Sequence, residues 1–171
     1  HANGLAFDNE NRLIACQGGI ADSVRGITRT EADGTIVYLT DNYQGNRYNA
    51  PNDLAIDSKG RIFFTDPRYG PQAGKEIFDK DGKSIEGVYR IDPDGSVTQI
   101  LTHEIDRPNG IAISSDEKFL FVADNAGGMP KGNRKLWRFA LKKNGDLDTS
   151  TQKQLFDWRS SLGIDRGPDG M

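Results

Sequence analysis

Apolar and polar residues alternate in short runs along this chain, and the runs recur in the same order three times. In residues 2–40 the alternation predicts strands over 3–8, 12–16, 26–31 and 35–39. The pairs are separated by "DNEN" and "EADG", polar stretches short enough for hairpin turns. The same design returns at 51–66 with 86–101, where "DSKG" and "DPDG" are the turns. It returns again at 108–124 with 135–156, around "SSDEK" and "KKNG". Arg29, Arg90 and Arg138 occupy one place in the third strand of each unit. No sustained helical period competes with this pattern.

A unit of four antiparallel strands, repeated, is the blade of a β-propeller. The fold class expected is therefore all-β, with about three blades and the start of a fourth in one domain over 1–171. Each unit opens on a small polar element: Asn3, then "PND" with Asn52, "PNG" with Asn109, and "PDG" with Asp169. Asn is depleted in strands and serves turns better, so its return at one repeat position asks for another reason. First strands of successive blades line a central channel, so these four side chains would converge on one spot. Amide oxygens with a carboxylate make a hard oxygen site, suited to calcium or magnesium before zinc.

Composition narrows the alternatives. With 22 basic and 25 acidic residues interspersed, the net charge is −3 and no basic face for nucleic acid is visible. No run reaches the roughly 18 apolar residues of a membrane span. Cys16 is the single cysteine, read as a buried strand thiol, and excludes an intrachain disulfide or thiolate metal cluster. The chain starts at His1 on a strand and stops at Met171 just inside a motif, so both ends are expected to be cut. The compartment, cytoplasmic or periplasmic, and the oligomeric state are left open.

Other residues take more modest roles. Asp66 and Asp124 end second strands and are expected to tie blade to blade through backbone amides. Arg68 and Tyr69 fall in a loop that can shape a pocket mouth, and the Gly-rich stretches 71–87 and 125–135 are candidate specificity loops. His103 is expected in a loop. One of Trp137 and Phe139 is expected to pack between units.

The stretches "NGLAFD", "APNDLAIDSKGRIFFTDPRYG", "GVYRIDPDG", "RPNGIAISSDEKFLFVAD" and "GPDGM" together resemble the gluconolactonase and regucalcin (SMP-30) family, in its bacterial gluconolactonase branch. The resemblance spans almost the whole chain. It implies a six-bladed propeller with a divalent metal on its axis, this chain supplying approximately blades two to four and the opening of blade five. It implies metal ligation by Asn52, Asn109 and Asp169, with a Glu ligand expected upstream of His1. Asp169 then doubles as the catalytic base, and Asn52, Asn109 and Tyr69 contact substrate. Calcium is the expected ion, with magnesium or zinc as alternatives, and a sugar lactone is the expected small-molecule partner. Two departures bear on substrate: Ala50 stands where the animal branch has an Arg, and Gln17 stands where bacterial relatives place a carboxylate.

The leading expectation is thus a metal-dependent hydrolase that opens a sugar lactone. A related propeller enzyme acting on organophosphates, or condensing amines with aldehydes as strictosidine synthase does, remains open beside it. A non-catalytic propeller scaffold is the third reading, which the Asn, Asn and Asp openers disfavour.

Overall fold

The hairpin turns repeat one scheme of side-chain to amide bonds from unit to unit. Asp8 accepts the amides of Glu10 and Arg12 and the Arg12 guanidinium, while Asp57 does the same for Lys59 and Arg61. In the third unit the Ser114 hydroxyl takes this place, accepting from the amides of Lys118 and Phe119. The second turn type uses Asp33, Asp94 and Asn144 to accept the amides of Thr35, Ser96 and Asp146. The glycines inside these three turns sit at φ of 85°, 84° and 90°, a region other residues rarely enter.

In a computed structural model of the chain, the described residues are 2–19, 25–69, 77–126, 132–163 and 167–171. Three four-stranded antiparallel sheets follow one another, each with its strands in chain order. The first holds β1 (Ala2–Phe7), β2 (Leu13–Gln17), β3 (Gly26–Thr30) and β4 (Ile36–Thr40). A small hairpin follows, β5 (Asn42–Tyr43) and β6 (Asn46–Arg47). The second sheet holds β7 (Leu54–Ile56), β8 (Ile62–Thr65), β9 (Val88–Ile91) and β10 (Val97–Leu101). The third holds β11 (Pro108–Ile113), β12 (Phe119–Asn125), β13 (Arg134–Leu141) and β14 (Leu147–Asp157). The four strands expected in the first unit fall within a residue or so of their observed bounds.

Two elements escaped the hydrophobic pattern. The β5–β6 hairpin turns on Gln44 and Gly45, both at positive φ, with only two residues per strand. A single helical turn, α1 (Trp158–Leu162), is capped by the Asp157 carboxylate, which accepts the amides of Arg159 and Ser160. Neither is long enough to show a period. No helix among the described residues is long and apolar enough to cross a membrane.

The sheets stack face to face, with the first strands β1, β7 and β11 in contact from one sheet to the next. Alternation gives the second sheet two apolar faces. Leu54, Phe64 and Tyr89 meet Ile14, Cys16 and Ile27 of the first sheet, joined by Tyr48. Phe63, Val88 and Leu101 meet Ile111, Leu120, Val122 and Phe139 of the third. Tyr48, Phe64 and Tyr89 form a cluster with ring centroids 5.3 Å apart. Each such aromatic contributes about 1.5–3 kcal/mol through burial. Trp137 and Phe139 both pack toward the second sheet, where one was expected; residues two apart on a strand share a face. The outer face of the first sheet stays apolar and uncovered, with Leu5, Phe7, Ile36 and Tyr38 all exposed. Pairing places Leu5 in line with Ala15, Thr28 and Tyr38, and Phe7 with Leu13, Thr30 and Ile36, so all four point one way.

Candidate functional site

At each opener the strand ladder breaks. Register shifts lie between Ala2 and Leu5 in β1 and between Pro108 and Ile111 in β11. In the second unit Asn52 and Asp53 lie just ahead of β7, with the Asn52 amide donated to Thr65 O and the Thr65 amide to Asp53 O. Such breaks turn a side chain away from the pleat, and Pro108 fits at the start of β11 because its missing N–H is not needed at a strand's first residue.

The openers touch in succession. The Gly4 amide donates to Asn52 O at 2.6 Å, and a Cβ on Gly4 would fall 2.6 Å from the Asp53 Cα. The Thr65 hydroxyl donates to Asn109 O at 2.6 Å, which ties the second sheet to the third opener. A Cβ on Gly110 would fall 2.5 Å from Asp169 O, so the fourth opener lies directly on the third. Only glycine permits these two approaches.

Asp53 is the hub of this arrangement. It accepts the amides of Leu54 at 2.9 Å and Ile111 at 3.1 Å, and the Met171 amide as well. Burial raises its pKa, the three amides pull it back, and the nearby Asp169 charge pushes it up again. Strand alternation alone does not single out Asp53. The signal was present: Gly4, Gly110 and Gly170 fill this position in the other openers, and only here does a carboxylate replace glycine.

Of the expected ligands, Asn109 is the most constrained. It is buried, and its Nδ2 donates to the Tyr69 hydroxyl at 2.8 Å. Its Oδ1 is buried with no hydrogen-bond partner. An acceptor left bare in a protein interior costs about 1–3 kcal/mol, and a cation would relieve it. Asn52 is partly buried and Asp169 exposed. The negative charge of Asp169 adds to the upward push on the pKa values of Asp53 and Tyr69. Among the described residues no three His, Cys, Asp or Glu side chains cluster as metal ligands. The expected ligands are two amides and a carboxylate, a hard oxygen chemistry that suits calcium or magnesium better than zinc.

Around this centre the support is charged and buried. The Arg107 guanidinium binds Glu86 through two bonds of 2.7 and 3.1 Å and lies 5.2 Å from the Tyr69 ring centroid. The Arg68 amide also donates to Glu86, at 2.7 Å. Burial pushes the Tyr69 phenol up to about 12, against the pull of Asn109 and Arg107, so it stays protonated at neutral pH.

Asp66 and Asp124 are clamps on backbone amides, but each holds the connector entering its own sheet and does not tie one sheet to the next. Asp66 accepts the amides of Asn49 and Ala50, immediately before the Pro51-Asn52 opener. Asp124 accepts those of Asp106 and Arg107, before Pro108-Asn109, and the Trp137 indole N–H. Gln17 holds the same strand-end place in the first unit and donates to the Thr28 hydroxyl. His103 lies in a loop, paired with Asp79 at 2.7 Å. Cys16 is fully buried, and burial raises its thiol well above the usual range, so it is inert. Residues 71–76 and 127–131 of the two candidate specificity loops, and His1, lie outside the described residues.

Comparisons with known proteins give a family. The family model described as "SMP-30/Gluconolactonase/LRE-like region" matches residues 1–171. A gluconolactonase of Zymomonas mobilis is 32% identical over 176 residues, covering 99% of this chain and 46% of that protein. Lactonase drp35 of Staphylococcus epidermidis is 31% identical over 142 residues, covering 82% of this chain and 38% of that protein. The solved structure of a gluconolactonase from Xanthomonas campestris superposes with a TM-score of 0.75 at 34% identity, covering 99% of this chain and 51% of that one. The chain therefore spans about half the length, or less, of these relatives.

Proposed function

The chain belongs to the SMP-30/gluconolactonase/LRE-like family, and from that premise we propose that its openers build most of the metal-holding centre of a sugar-lactone hydrolase. One observation supports this above the rest: the Asn109 amide oxygen is buried without a partner at the place where the openers meet. The amide oxygens of Asn52 and Asn109 and the carboxylate of Asp169 would hold a divalent cation, calcium first. An ion held there would supply Lewis-acid polarisation of a lactone carbonyl and would offset the charge that grows on its oxygen.

The residues of the chain do the rest. Asp169 accepts a proton from a water molecule as the water oxygen bonds to the carbonyl carbon. The ring C–O bond then breaks, the same proton passes from Asp169 to the departing ring oxygen, and a hydroxy acid is left. Asn52 orients substrate oxygens, and the partly exposed ring of Tyr69 borders the mouth against the sugar. No nucleophilic side chain is required.

The three stacked sheets are, in this reading, consecutive blades of a six-bladed β-propeller. Stacking in chain order and contact between first strands support it. So does the uncovered apolar face formed by Leu5, Phe7, Ile36 and Tyr38, against which the preceding blade would pack.

The test is lactone hydrolysis, followed by proton release, across a calcium titration of the protein. Asp169→Asn should nearly abolish turnover at every calcium concentration, whereas Asn52→Ala should be partly rescued by excess calcium. Lost affinity is restored by mass action; a lost base is not. Equal rescue of both variants would make Asp169 a ligand only, and undiminished turnover in Asp169→Asn would remove it from the mechanism.

A further inference from the structure

An amide side chain offers a donor at one end and an acceptor at the other, and Asn109 can hold a cation only with its oxygen turned to the site. The structure contains a chain of hydrogen bonds that decides this. The Tyr69 hydroxyl lies 3.1 Å from the carbonyl oxygen of Asn125 and 2.8 Å from Asn109 Nδ2. A carbonyl oxygen only accepts, so the single phenolic proton is committed to Asn125. Toward Asn109 the phenol then presents lone pairs alone, which Nδ2 can satisfy and Oδ1 cannot. With Nδ2 held there, Oδ1 must face the other way, and that is the atom left without a partner.

The relay is itself anchored. The Asn125 amide donates to Arg107 O at 2.9 Å, and the Arg107 guanidinium both lies over the Tyr69 ring and binds Glu86. The main chain of Asn109 is pinned separately by the Thr65 hydroxyl. Removing the phenolic oxygen would therefore free the amide to rotate without moving the opener.

We infer that Tyr69 is a positioning residue that locks the Asn109 amide with its oxygen toward the metal centre. The inference rests on the proposed reading of Asn109 as a ligand. It gives Tyr69 a task distinct from touching substrate, performed through another side chain. Groups that orient a ligand in this way typically change metal affinity by about 10–100-fold when lost.

The experiment is calorimetric calcium binding to the wild type, Tyr69→Phe, Asn109→Asp and the double variant, with melting temperatures measured without calcium. Tyr69→Phe keeps the ring and the Arg107 contact, so it should weaken calcium binding about tenfold or more with little change in melting temperature. Asn109→Asp has two acceptor oxygens and no wrong orientation, so in that background Tyr69→Phe should cost much less. Wild-type affinity in Tyr69→Phe would overturn the inference while leaving the proposed ligand set standing. The same loss in both backgrounds would also overturn it, since that describes general loosening. A wild type that binds no calcium would remove the parent reading and this inference with it.

Discussion

The Asp53 carboxylate from the second opener accepts the backbone amide of Ile111, in the third, at 3.1 Å. With Leu54 and Met171 also donating to it, one side chain holds three segments in fixed relation. Asp53→Ala would leave these amides without their acceptor, at about 1–3 kcal/mol for a buried donor. We expect a fall in unfolding free energy of at least about 2 kcal/mol together with weaker calcium binding. Asp53→Gly restores the residue found in the other openers and should be no better, because the amides need the carboxylate. Denaturant titration with calcium calorimetry checks this, and a Gly variant as stable as the wild type would show that Asp53 holds nothing together.

Asp66 gives a pH signature. Burial raises its carboxyl to about 7, although the amides of Asn49 and Ala50 draw it down. Its value in the unfolded chain is near 3.9. A folded value above the unfolded one favours the protonated, folded form. Its contribution is fully present below about pH 4 and is lost as pH rises through about 7. Asp66→Asn cannot titrate, so the difference in stability between variant and wild type should change across that window. Denaturation midpoints measured from pH 4 to 8 report it, and parallel curves for the two proteins would contradict the raised value.

The strands were legible because alternation, turn residues and repeat spacing all pointed to the same four-strand unit. The openers were legible as a repeat position, since Asn3, Asn52, Asn109 and Asp169 stand out where a strand needs no Asn. The site's supports were not. Asp53, Thr65, Glu86 and Arg107 act across sheets, and no local pattern reveals that Ile111 will face Asp53 or that Arg107 will face Glu86. The β5–β6 hairpin and α1 were missed for a different reason: they are held by a two-residue turn and by a cap. The third opener position was the one clue within reach, and it required comparing Asp53 with three glycines.

The Arg107–Glu86 ion pair at the site is buried. The side chains are 6% and 7% exposed, so both charges are almost wholly withdrawn from water. Such a pair contributes little beyond an apolar replacement, yet breaking it from one side leaves a buried charge, typically at about 3–5 kcal/mol. Glu86 would keep the Arg68 amide at 2.7 Å, so we expect Arg107→Ala to cost about 3 kcal/mol, the lower end of that range. Arg107→Lys should recover only part of it, because an ammonium cannot make the paired bonds of 2.7 and 3.1 Å that the planar guanidinium makes. Removing both charges together, as Arg107→Met with Glu86→Leu, should cost less than Arg107→Ala alone, since no buried charge is stranded. Calcium affinity should not recover in the double variant to the same degree, because the guanidinium over Tyr69 is gone as well. Urea unfolding and calcium calorimetry on the four proteins separate the two effects. A double variant that loses at least as much stability as Arg107→Ala would show that the charges do not depend on each other, and full recovery of calcium binding would show that Arg107 supports the pair alone and not the tyrosine.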